Sequence, residues 1–129
     1  KNLPLMDAIA ASALATITSW NARSLTMLAW SCATIGFLHH QLLYAIASQA
    51  IKLITDYTAQ DLGNTAWAFA TLKVLNGPIM DSIAAAAMRR IHEFESRNLS
   101  VLAWAFATLG VWNAPLLNSI SSEAMRKIH

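Results

Sequence analysis

Thr65-Ala66-Trp67-Ala68-Phe69-Ala70-Thr71-Leu72 is the middle of three copies of one pattern. The others are Leu28-Ala29-Trp30-Ser31-Cys32-Ala33-Thr34-Ile35 and Leu102-Ala103-Trp104-Ala105-Phe106-Ala107-Thr108-Leu109, and each tryptophan stands 37 residues from the next. The same offset aligns the rest of the chain without a gap. It puts Pro4, Gln41, Pro78 and Pro115 in one column, Ile9, Ile46, Ile83 and Ile120 in another, and Trp20, Tyr57 and Phe94 in a third. A constant period of this size is the mark of a solenoid, in which each repeat buries its apolar face only against its neighbours.

Each repeat reads as two helices. The first-type helix opens near Ser24, Asp61 and Asn98, three good N-cap residues, and continues with apolar residues at helical spacing such as Leu99, Leu102, Phe106 and Leu109. Gly36 and Gly110 suit a left-handed C-cap, whereas Lys73 stands in that column in the middle copy. The second-type helix opens at Pro4, Pro78 and Pro115, where a fixed φ and a missing N–H are tolerated. The expectation is an all-α protein, an α-solenoid of antiparallel helix pairs with about 3.5 repeats and seven helices. They cover roughly 4–19, 24–35, 41–55, 61–72, 78–93, 98–110 and 115–128. The whole of 1–129 forms one segment: an orphan second-type helix in 1–23, then repeats 24–60, 61–97 and 98–129. Neither terminal helix has the polar outer face of a cap, so flanking repeats or other protein subunits are expected at both apolar ends.

Composition narrows the function. Hydrophobic residues make up 56% of the chain and charged residues 12%, about half the usual charged share. Apolar surface is therefore deeply buried or kept for a partner. No stretch approaches the ~18 uninterrupted apolar residues of a membrane span. The formal charge of +2 is a mild basic bias compatible with nucleic acid. Cys32 shares a column with Phe69 and Phe106 and reads as a small core residue. No histidine has metal-ligand spacing with Cys or another His, and no Ser/His/Asp set, phosphate loop or carboxylate pair appears. No catalytic residue, metal site or cofactor is expected, and no enzyme.

The segment Leu102 to Gly110, with Pro115-Leu116-Leu117 and the Met88-Arg89-Arg90-Ile91-His92-Glu93-Phe94 ending, resembles the octotricopeptide-repeat family. The resemblance is to the organellar type of dinoflagellates and related algae, and Asp61 to Arg97 fits it almost residue for residue. It implies single-stranded RNA as ligand, a plastid or mitochondrion as compartment, and a role in stabilising, processing or translating transcripts. No targeting segment is visible in the chain to choose between compartments.

Helical repeats that read RNA project a few side chains per repeat towards the bases. On the first-type helix the columns opposite the Leu/Phe stripe are Met27/Asn64/Val101, Ser31/Ala68/Ala105 and Thr34/Thr71/Thr108. Met27, Ser31, Asn64, Ala68, Val101 and Ala105 are thus the base-facing candidates, of which the first column varies most. Lys52, Arg89 and Arg126 form a basic column able to track phosphates, and Arg23 and Arg97 a sparser one. The helical register turns Arg89 outward, away from a groove. Trp30, Trp67 and Trp104 are expected to be buried as inter-repeat packing, which leaves Trp112, in a linker, as the better exposed contact. The competing reading is a non-catalytic accessory subunit docked on a large organellar assembly such as a photosystem, respiratory complex or ribosome.

Overall fold

The computed structural model describes residues 3–128. Among them there are only helices: α1 (Leu3–Thr16), α2 (Ala22–Ile35), α3 (His40–Lys52), α4 (Ala59–Thr71), α5 (Gly77–Arg89), α6 (Ser96–Thr108) and α7 (Ala114–Ile128). Short 3-10 turns, Ile17–Ser19, Ile54–Asp56 and Ile91–Glu93, follow α1, α3 and α5. The long second-type helices expected over 4–19, 41–55 and 78–93 are therefore each an α-helix plus one tight turn. The turn closes with Trp20, Tyr57 and Phe94 each donating its N–H to the carbonyl three residues back. Tyr57 and Phe94 are thereby delivered, fully buried, into the core.

Two layers result. α2, α4 and α6 lie side by side in one, and α1, α3, α5 and α7 form the other. The interior between them is built from columns of the 37-residue repeat: Leu25/Leu62/Leu99, Leu42/Ile79/Leu116 and Ile46/Ile83/Ile120 are all buried. Phe69 and Phe106 fill the place where the first repeat has buried Cys32, whose thiol burial pushes up in pKa. Each such aliphatic or aromatic side chain contributes on the order of 1.5–3 kcal/mol by leaving water. The first-type layer is the more closely packed, because small residues line its seams. Thr26 of α2 and Thr65 of α4 meet there, hydroxyl to hydroxyl, at 3.4 Å.

Helix ends follow the sequence with one displacement. Ser24, Asp61 and Asn98 are not the N-caps; Asn21, Thr58 and Glu95, three residues earlier, hold that place. The amide of Ser24 donates to Asn21 Oδ1 at 2.9 Å. In α4 the bonding is reciprocal: Asp61 N donates to Thr58 Oγ1 at 3.0 Å and Thr58 N to Asp61 Oδ2 at 3.2 Å. Polar residues at both ends of such a box attract the eye equally, and the later one is the third helical residue. On the second-type helices His39, Asn76 and Asn113 accept from Leu42, Ile79 and Leu116, which moves Pro78 and Pro115 to the second helical position. The first-type helices all end alike. Phe37, Val74 and Val111 each donate back five residues, across Gly36 (φ 72°), Lys73 (φ 59°) and Gly110 (φ 70°). Lys73 thus adopts the left-handed conformation its glycine counterparts adopt.

The tryptophans meet the expectation of inter-repeat burial only in part: Trp67 packs against the core and Trp30 approaches it, but the outer two are exposed. Trp30 is 39% exposed and Trp104 47%, while Trp67 is half-buried. The helical register places this column at the rim of the first-type layer, short of the seam itself. The seam is narrow enough that alanines, not indoles, occupy it.

Candidate nucleic-acid interface

Residues two, six and nine positions beyond each first-type N-cap share one side of the helix. They are Arg23, Met27 and Trp30 on α2, Gln60, Asn64 and Trp67 on α4, and Arg97, Val101 and Trp104 on α6. Most of them converge on an open groove of about 340 Å³ that crosses all three helices. Arg23, Met27 and Trp30 form one wall, Arg97, Asn98 and Val101 the other, and Gln60, Gly63 and Asn64 the floor. A Cβ at Gly63 would meet the Asn98 carbonyl at 3.8 Å, an ordinary contact, so this glycine deepens the floor rather than relieving a clash.

No carboxylate lines the groove, and two arginines do. Arg23 Nη1 is held at 3.0 Å by Asp61 Oδ1; the carboxylate is buried while the arginine stays 58% exposed. A guanidinium carries five N–H donors, so this bond fixes the side chain and leaves donors for a ligand. Arg97 has no ion pair among the described residues. Both sit at the second helical position, where the positive end of the macrodipole adds to their charge. The groove is a trough with two arginines and three side-chain amides, Gln60, Asn64 and Asn98, of which Asn64 lies on the floor in the variable column.

The structure therefore brings together Arg23, Met27, Asn64, Arg97 and Val101, drawn from two separate columns of the sequence reading. It parts them from the others. Ala68 and Ala105, expected to face bases, are fully buried in the packing between first-type helices and cannot touch a ligand. Ser31, in the same column, is exposed on α2, away from the groove lining. Lys52, Arg89 and Arg126 lie in the last turns of α3, α5 and α7, exposed on the other layer, and none lines the groove. Arg126 is partly engaged, its Nε 3.3 Å from Glu123. Trp30, Gln60, Gly63 and Asn98 line the groove without having been singled out for it. Their signal was positional: each shares the helix face of a residue that was.

A second polar cluster lies on α7. Glu123 is buried there, with His92 Nδ1 at 2.7 Å and Arg126 Nε and Lys127 Nζ each at 3.3 Å. Burial pushes its carboxyl up, but the hydrogen bonds from His92 and Lys127 and the charge of Arg126 outweigh that and hold it below the ordinary range. The cluster ties α7 to the 3-10 turn after α5. Among the described residues no group of His, Cys, Asp and Glu is arranged to hold a metal ion, and no helix is long and apolar enough to cross a membrane.

Set beside known proteins, the chain matches the model of the RNA-editing substrate-binding complex 6 protein family over residues 1–128, and it belongs to that family. No individually curated protein matches it.

Proposed function

We propose that this chain is a non-catalytic RNA-binding helical-repeat protein that holds single-stranded RNA in the groove across α2, α4 and α6. The observation that carries the reading is the groove's composition: Arg23 and Arg97 on its walls, Asn64 on its floor and no carboxylate between them. Arginines neutralise phosphates and release their counterions, and an amide reads a base edge. Membership of a family described as an RNA-editing substrate-binding complex protein supports the same ligand. The octotricopeptide-like signature supports it too, and with it a role in transcript stabilisation, processing or translation within an organelle, a mitochondrion in preference to a plastid. Protein partners belong to the proposal as well. Ile9 on α1 and Met125 and Ile128 on α7 present apolar surface, suited to flanking repeats or other subunits.

Binding of a labelled oligouridylate at several salt concentrations tests the ligand. A slope of log affinity on log salt of about −0.7 per phosphate contacted is expected, shallower by that amount in Arg97→Ala. The triple change of Lys52, Arg89 and Arg126 to Ala should leave the slope near that of the unaltered chain.

One observation favours the accessory-subunit reading. Leu38, Leu75 and Trp112 stand at the same place in three successive inter-helix loops and are all exposed, Trp112 at 82%. A row of exposed apolar side chains along one edge suits a protein partner. Absence of any salt-dependent RNA affinity would shift the function to that edge.

A further inference from the structure

We infer that Trp30, on the groove wall, together with Trp67 and Trp104 at the matching places on α4 and α6 beside the groove, forms a base-stacking rail, so that the chain takes unpaired RNA with little sequence preference, about one base per repeat. The inference rests on the RNA reading and adds to it what grips the bases. Trp30 lines the groove beside Arg23, with Asn64 on the floor between them and Arg97. Its ring centroid lies 6.4 Å from that of Trp67, the planes inclined by 31°, so the first two repeats present their indoles in succession, and Trp104 stands 47% exposed at the matching place on α6. α4 has a first-type neighbour on each side, and Trp67, although packed partly against the core, keeps part of its ring exposed there. Its exposure is a property of the repeat's geometry.

Packing on the core, as at Trp67, uses only part of the indole at this position. The seams next to it are closed by small residues, with Ala29 and Ala66 both fully buried. The column beside it changes freely from Met27 to Asn64 to Val101, while the tryptophan is the same in all three repeats. What an indole offers at a half-wet rim is a broad π-face, and every nucleobase has a face to match it. In the first and third repeats the arginine and the tryptophan stand seven residues apart, two helical turns or about 10.5 Å, with Gln60 in the arginine's place in the second. That separation sets phosphates along the arginine edge and bases along the tryptophan edge of one trough. A duplex hides its base faces, so single strands are the substrate class.

The test measures affinity for oligouridylate and for inorganic polyphosphate, which has the charge and no bases. The variants are Trp30→Leu, Trp104→Leu and Trp30→Phe, with Trp112→Leu as the exposed tryptophan outside the groove. Each leucine variant on the rail should weaken oligouridylate binding about five-fold or more, with the salt slope unchanged. Polyphosphate binding should not change, Trp30→Phe should keep most of the affinity, and Trp112→Leu all of it. If the leucine variants bind oligouridylate as the unaltered chain does, while Arg97→Ala weakens it, the rail is overturned and the RNA reading stands. Equal losses for oligouridylate and polyphosphate would also overturn it, since the indoles would then only shape the groove. An unaltered chain that binds no RNA removes both readings.

Discussion

Arg23 of α2 and Asp61 of α4 are joined across the first-type layer at 3.0 Å, and the same carboxylate caps the start of α4. Asp61 Oδ1 accepts from the guanidinium, Oδ2 from the Thr58 amide. One buried carboxylate thus fixes a helix terminus and aims a groove arginine. Asp61→Ala should cost about 1 kcal/mol through the lost reciprocal bond of the capping box, since Thr58 Oγ1 still caps the helix and the half-exposed arginine adds little of its own. Asp61→Asn should cost less, because Asn98 Oδ1 already accepts from Glu95 N in the next repeat. Urea unfolding of the two variants separates the cap from the ion pair. Equal losses would show that the charge, not the cap, matters.

Lys73 holds φ at 59°, where Gly36 and Gly110 stand in the neighbouring repeats. A side chain in this region is crowded against its own backbone, a strain of roughly 1–2 kcal/mol that glycine does not have. Glycine also gains freedom in the unfolded chain, which offsets part of the benefit. Lys73→Gly is expected to stabilise by about 1 kcal/mol or less and to raise Tm by a few degrees. Gly110→Ala should act in the opposite direction, through the backbone alone, because nothing crowds the added Cβ.

Periodicity made the architecture legible, and it misled in part about the tryptophans for the same reason. Identity among Trp30, Trp67 and Trp104 shows that a position does one job in every repeat without saying which side of the helix does it. Burial depends on how near adjacent first-type helices come. That distance is set by the Ala and Thr residues of the seam, so Ala68 and Ala105 sink into packing while the larger Trp is left at the rim. The groove was half legible: Asn64 and Met27 were picked out by variability, and Arg23 and Arg97 by charge. Only the fold shows that these two columns meet, and that the fuller basic column of Lys52, Arg89 and Arg126 lies on the other layer. Charge is visible in a sequence, but the layer it faces depends on which helices stack.

The Glu123 cluster gives a pH dependence of definite sign. Its carboxyl is held below the ordinary range by His92, Lys127 and Arg126 against the opposing effect of burial. A depressed folded pKa means that the unfolded chain takes up a proton first as pH falls. The contribution is therefore complete above the ordinary carboxylate range, above about pH 5, and is lost as pH falls through the folded pKa. Stability from urea unfolding between neutral pH and pH 3 should decline on the acid side. Glu123→Gln should reduce that decline while lowering stability at neutral pH. An acid decline of the same size in the variant would place the effect on other carboxylates.

Asn64 makes the sharpest prediction about sequence choice. It shares a column with Met27 and Val101, which offer only apolar contact, so it is the one member able to donate and accept at a base edge. Stacking and phosphate contacts are indifferent to which base is bound, whereas an amide on the groove floor is not. Asn64→Ala should therefore leave mean affinity over a randomised single-stranded pool within about two-fold. It should relax preference at one nucleotide position, a discrimination of about 1–3 kcal/mol if the contact is bidentate. Selection from a randomised pool, sequenced with and without the substitution, reads both quantities at once. Relaxation spread over several positions would mean that Asn64 shapes the groove instead of reading a base. An unchanged profile would assign whatever preference the chain has to the other groove amides, Gln60 and Asn98, or to the stacking rail.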